Sequence, residues 1–332
     1  MPRFRLLGLP SVVLGEIAKL WDPFELFHVS QCSKKMIKIV QLANTSKLKL
    51  TLWDRSLYVT GNYYFKVVST ANIGNFKILG VRHFELNPNQ KFEIKIARDK
   101  DDVLCFFWDD EFLGRAVMLF YLSHIFNCPL KYFVAGPPFP SKVFRLIIGW
   151  LIEKQNGEIE DIYATFEDEE DLKWTLDNLK ASKSLNINFP SYQGQLISYS
   201  LKFHPKILKI ANSGWFTIDN LVLAAKWCML ISLEQSKLSN KDLDAFLRLW
   251  MTEEFPCLQF LAIKNESFND KEKIMDRSPM QWKTKRRLLR QKLILTNYVE
   301  VIRGVGIENE DGVKAEVELI FFPTPRFVLY LL

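Results

Sequence analysis

The chain has 332 residues, 48% hydrophobic and 25% charged, with a formal net charge of +6. That length allows two or three domains, and the apolar fraction excludes a disordered, fibrous or low-complexity chain. No stretch reaches the roughly 18 consecutive apolar residues of a membrane helix, so no membrane partner is expected. The five cysteines, Cys32, Cys105, Cys128, Cys228 and Cys257, include no CxxC pair, which points to thiols in a reducing compartment, cytoplasmic or nuclear.

Residues 1–45 read as three short helices. Pro10 and Glu16 interrupt the N-terminal apolar run, so it reads as a helix and not as a secretion leader. Leu9-Pro10 opens the first helix, and Val13, Ile17, Leu20 and Trp21 share one face of it. Asp22-Pro23-Phe24-Glu25 restarts the chain as a second helix. Asp22 suits the N-cap, Pro23 the first helical position, and Glu25 completes a capping box. Ser30 or Ser33 can cap a third helix, with Met36, Ile37 and Val40 as its apolar positions. A core this small gains from a partner or a second domain.

This segment resembles an F-box. The residues that carry the likeness are Leu9, Pro10, Val13, Leu14, Ile17, Trp21, Glu25, Leu26, Val29, Ser33 and Lys34, aligned without a gap. Val12 stands where an acidic residue is usual, and Met36 where many members have Trp. F-box proteins bind the Skp adaptor of cullin–RING ubiquitin ligases and carry substrate on the rest of the chain. The resemblance therefore implies adaptor contacts at Leu9, Pro10, Val13, Ile17, Trp21, Pro23 and Leu26. Each aliphatic side chain buried there would contribute about 1.5–3 kcal/mol, less the cost of association.

Residues 46–130 read as β-rich, with strands at 48–54, 57–68, 76–86, 91–97 and 103–108, then a helix over 115–126. From 131 onward short strand cores recur at 132–134, 162–164, 185–187, 208–210, 231–233 and 261–263. Their starts are 30, 23, 23, 23 and 30 residues apart. Helical segments lie between several of them, most clearly after the capping-box pair Ser239 and Asp242. A strand and a helix in each period of about 20–29 residues is the leucine-rich-repeat arrangement, although Glu167, Pro190, Ser213 and Ser236 occupy its Asn position.

Residues 210–215, 233–246, Leu249-Trp250, Ile302-Arg303 and Asp311-Gly312 resemble the F-box-associated region of a large nematode F-box family. In that family the region is taken to recruit substrate. The expected fold class is thus α+β / α/β. A three-helix F-box over 1–45 would precede a β-rich connection over 46–130 and a degenerate leucine-rich-repeat-like domain over 131–332.

Residues 276–292 hold seven basic groups and one acidic, equal to the whole net charge, while 158–171 carry eight acidic groups. Four histidines occur, none at metal-ligand spacing, and there is no Walker A, GxSxG or dinucleotide fingerprint. The expectation is a non-catalytic substrate-recognition subunit of a Skp–cullin–F-box ubiquitin ligase, needing no cofactor and no metal. It would hold an unidentified protein substrate on the polar middle residues of the strand cores, Asn186, Lys209 and Ser232. One rival is a repeat-type scaffold without ligase association. Another is nucleic-acid binding through the basic segment 277–292, at Lys283, Lys285, Arg286, Arg287, Arg290 and Lys292.

Overall fold

The computed structural model describes residues 8–43, 45–53, 56–59, 63–87, 89–136, 139–190, 202–252, 255–269, 271–278, 305–320 and 325–332, with 288–291 and 299–302 described by their backbone alone. The chain divides into two compact units, Met1–Ile159 and Glu160–Leu332. The element pattern and the F-box resemblance in the sequence instead place boundaries after residues 45 and 130.

The first unit begins with three helices, α1 (Ser11–Ala18), α2 (Pro23–Ser30) and α3 (Lys34–Leu42). Local chemistry fixes their starts. Asp22 accepts a hydrogen bond from the Glu25 N–H at 2.8 Å, and the Glu25 carboxylate accepts one from the Asp22 N–H at 3.0 Å. Pro23 fills the first helical position of α2, where its missing N–H costs little. Ser33 caps α3 by accepting from the Met36 N–H at 3.3 Å. Strands β1 (Leu50–Trp53), β2 (Ser56–Val59), β3 (Tyr63–Ser69), β4 (Ile78–Asn87), β5 (Gln90–Arg98) and β6 (Leu104–Trp108) follow. The helix α4 (Glu111–Phe126) then leads to β7 (Leu130–Ala135), α5 (Ser141–Gln155) and β8 (Glu158–Thr165), on which the boundary between the units falls. Strand order in this unit is β7-β1-β2-β3-β6-β5-β4.

Helix α4 is the centre of the first unit. It packs against α2, α3 and α5 and against β1, β2, β3, β4 and β6. Asp110 starts it by accepting from the N–H groups of Phe112 and Leu113 at 2.9 and 3.0 Å. Asn127 ends it in the left-handed region at φ 46°. Gly114 lets α4 lie flat on Trp108, since a Cβ there would come 2.4 Å from the indole Cγ.

The second unit continues with α6 (Glu169–Asn178), β9 (Lys180–Asn188), β10 (Ile207–Ile210), α7 (Ile218–Ala225), β11 (Leu230–Leu233), α8 (Asn240–Thr252) and β12 (Phe260–Lys264). A two-stranded antiparallel ribbon, β13 (Leu288–Gln291) with β14 (Val299–Ile302), comes next. The last strands are β15 (Val305–Glu308), β16 (Lys314–Ile320) and β17 (Arg326–Leu331). Order in this unit is β15-β16-β17-β12-β11-β10-β9-β8. The pairs from β9 to β12 are parallel; β12–β17, β16–β17 and β15–β16 are antiparallel. The expected start of α8 is present, with the Asp242 carboxylate accepting from the Ser239 N–H at 2.6 Å.

These strands correct the expected fold class. Fifteen of them build mixed parallel and antiparallel sheet. Among the described residues neither a free-standing three-helix F-box nor a leucine-rich-repeat solenoid is present. The N-terminal helices are not a module set before a separate β region, because their core is finished by strands. Phe27 of α2 is fully buried, with ring centroids 5.5 Å from Phe65, 5.4 Å from Phe106 and 6.0 Å from Tyr121. Nor do the recurring strand cores form one repeat array. The first of them, within β7, pairs in parallel with β1. The last, within β12, is followed across the sheet by antiparallel β17 instead of another repeat. Regular spacing fixed where strands occur, whereas pairing with segments far away in sequence decided the architecture.

Candidate protein-interaction surfaces

Helix α1 turns Leu14, Gly15 and Ala18 inward, and Gly15 lies against Leu42 at the end of α3, with its Cβ position 3.4 Å away. The opposite side keeps apolar groups in water. Val12 is 74% exposed, Val13 41%, and Leu20, just past the helix, 83%. Glu16 stands between Val12 and Leu20 at four-residue steps and pairs with Lys19 at 2.6 Å. Among the residues named from the F-box resemblance, Pro10 and Val13 are exposed and Leu9, Ile17 and Trp21 half-buried, while Pro23 and Leu26 are buried. Val12 and Leu20 were not among those contacts. Their signal was an apolar pair eight residues apart on the side away from the inward stripe.

The second set of candidates lies in the second unit. Asn186 on β9, Lys209 on β10 and Ser232 on β11 are register partners. They therefore form one row across three adjacent strands, continued by Ala262 and Val328. Lys209 is exposed; Asn186 and Ser232 are half-buried. The residues on either side of each, such as Leu208 and Ile210, are buried, as strand alternation requires. Asn186 donates to the Ser184 hydroxyl at 2.8 Å. Two positions along the strands, Ile207, Leu230, Phe260 and Tyr330 form an apolar row on the same face. Toward the other ends, Asn212 donates to Asn188 at 2.6 Å and Lys264 pairs with Glu234 at 2.6 Å. Lys183 and Glu160 form a further ion pair. The arrangement is a face on which a row of polar residues and a row of apolar residues run side by side, with cross-strand polar pairs toward one end.

Burial pushes the thiols of Cys128 and Cys228 up to about 12 and that of Cys105 to about 11, so all three are protonated at neutral pH. His28 is held below its ordinary value first by burial and then by Arg82, whose guanidinium lies 3.5 Å from its Nδ1. No cluster able to hold a metal ion occurs among the described residues. None of the described helices is long and apolar enough to cross a membrane. Most of the basic segment, Lys283, Lys285, Arg286, Arg287 and Lys292 included, lies outside the described residues, and Arg290 is described by its backbone in β13.

Comparison with known proteins finds a likeness in part of this unit. Residues 191–263, which include β10, α7, β11, α8 and most of β12, match the family model described as F-box associated. Two Caenorhabditis elegans proteins are similar over longer stretches. One, named Uncharacterized protein F59B2.9, is 24% identical over 329 residues, covering 93% of this chain and 74% of that protein. The other, Skn-1 dependent zygotic transcript 15 protein, is 23% identical over 273 residues, covering 76% of each. No solved structure matches.

Proposed function

We propose that this protein is a non-catalytic receptor subunit of a Skp–cullin–F-box type ubiquitin ligase. The N-terminal helices dock the Skp-type adaptor, and the polar strand row of the second unit holds a protein substrate. The observation that carries the reading is the exposed apolar group Val12, Val13 and Leu20, which the chain's own fold leaves in water. Full burial of such side chains contributes about 1.5–3 kcal/mol each, of which association consumes a large part. The match of residues 191–263 to the F-box-associated model supports the ligase context.

In this reading the protein contributes no acid, base or nucleophile. It raises the effective concentration of substrate lysines near a recruited ubiquitin-conjugating enzyme, and proximity supplies the rate. Lys209 with Asn186 and Ser232 would orient the substrate through charge-assisted and neutral hydrogen bonds.

Co-purification of the full chain with a Skp-type adaptor tests the proposal. The wild type retains the adaptor. A Val12→Asp, Leu20→Asp double variant loses it while keeping its circular dichroism and melting temperature, since both side chains lie outside the core. Failure of the wild type to retain the adaptor would leave a protein-binding module without a ligase.

A further inference from the structure

A half-buried arginine without a counter-ion stands where α2, β4 and α4 meet in the first unit. Arg82, on β4, donates from Nη1 to the Val81 carbonyl at 2.9 Å and sets Nη2 3.5 Å from Nδ1 of His28 on α2. Its Nε is buried and has no hydrogen-bond partner. No carboxylate pairs with Arg82 among the described residues. Arg98 on the next strand, β5, differs in this respect, because Asp102 lies 2.6 Å from it.

A guanidinium drawn partly out of water is costly unless an anion or several acceptors meet it. The side chain that Arg82 meets is an imidazole, which becomes a second cation when it gains a proton. Burial, then Arg82 and Arg98, act against that proton, and Asp22 at the start of α2 acts for it. The charge of Arg82 also reaches Tyr121 on α4.

The neighbouring polar groups add donors and no negative charge. The Ser30 hydroxyl donates to the Phe27 carbonyl at 2.6 Å, so its 2.8 Å contact with Tyr121 uses the Tyr121 proton. Gln31 donates one amide N–H to the Tyr121 oxygen, which leaves the other. Three residues on from His28, Gln31 shares its side of α2. A fixed cation, a convertible cation and an amide N–H side by side recognise an oxyanion. A carboxylate would balance Arg82 alone. A phosphoryl dianion has charge for the imidazolium as well, and three oxygens for donors from β4 and α2.

We infer that Arg82 and His28, with Gln31 beside them, form a binding site for a phosphoryl group. The bound dianion would draw a proton from solvent onto His28, and the two side chains would hold it from opposite elements.

NMR of the histidine ring C–H signals in the full chain tests this, with His28 assigned from the His28→Gln variant. Inorganic phosphate is titrated at pH 7 and constant ionic strength, beside sodium chloride. In the wild type phosphate should move the His28 signal saturably toward its protonated position, and chloride should not. Arg82→Gln should raise the half-saturating phosphate concentration about tenfold or more, while the signals of His83, His124 and His204 keep their wild-type positions. If Arg82→Gln does not fold, Arg82→Lys, which keeps the charge and loses the fork, replaces it with the same expected direction. An unmoved His28 signal, an equal movement with chloride, or an undiminished response in the folded variant would each overturn the assignment. Phosphoserine in place of inorganic phosphate identifies the source. Saturation by both assigns the site to a phosphate monoester, and saturation by inorganic phosphate alone assigns it to the free anion.

Discussion

Two glycines in neighbouring helices should respond in opposite directions to one substitution. Gly114 in α4 has the Trp108 ring at 2.4, 2.7 and 2.8 Å from its Cβ position. Trp108 is 3% exposed and has the rings of Phe84 and Phe92 at centroid distances of 6.0 and 5.0 Å, so the indole can shift only by displacing packed neighbours. Overpacking costs about 1–3 kcal/mol, and a fixed ring this close puts Gly114→Ala at the upper end. Against about 3 kcal/mol stands about 1 kcal/mol gained in helix propensity, which leaves a net loss of roughly 2 kcal/mol. Gly149→Ala in α5 keeps the propensity gain and meets no atom within 4 Å, so it should stabilise by about 0.5–1 kcal/mol. Urea unfolding of both variants beside wild type reads the difference as midpoint shifts of opposite sign at constant slope. Shifts of the same sign would refute the reasoning that local space, and not helix propensity alone, decides what a glycine does here.

Three more outcomes follow from packing and titration. Phe27→Ala should cost about 3–5 kcal/mol, because it empties the contact between α2 and the rings of Phe65 and Phe106; a loss under about 1 kcal/mol would show that the helix does not depend on the strands. Burial raises the Cys128 and Cys228 thiols to about 12 from 9.0. The unfolded chain therefore loses these protons first, and stability should decline as pH rises above 9. In the native protein Ellman's reagent should modify exposed Cys32 well before either of them. His28 is lowered from 6.5 by burial and Arg82, so the unfolded chain binds its proton first on acidification. Its share of stability is present above 6.5 and lost as pH falls below, and His28→Gln should flatten that limb of the pH–stability curve.

Local signals in the sequence were legible where a few neighbouring residues decide the outcome. The capping box at Asp22 and Glu25, the start of α8 at Ser239, and the strand cores around Leu185, Leu208, Ile231 and Leu261 are of this kind. Strand alternation also predicted that Asn186, Lys209 and Ser232 point away from the core, and equal spacing brought them into one row. Long-range pairing was not legible. Nothing near Phe27 shows that Phe65 and Phe106 complete its surroundings, and nothing near β12 shows that Arg326–Leu331 will pair with it. Helical periodicity marked an apolar face on α1 but not which apolar residues the fold would leave uncovered. Leu14 is buried, whereas its neighbour Val12 is in water. The site at Arg82 and His28 depends on β4 meeting α2, which no single stretch of sequence displays.

The central claim is that the outward side of α1 binds a Skp-type adaptor. Calorimetric titration of the adaptor into the purified full chain, repeated at several temperatures, tests it most directly. The account predicts saturable one-to-one binding with a negative heat-capacity change, the mark of apolar burial, and its loss in the Val12→Asp, Leu20→Asp variant. No heat of binding with wild type, or equal affinity in the variant, would contradict it.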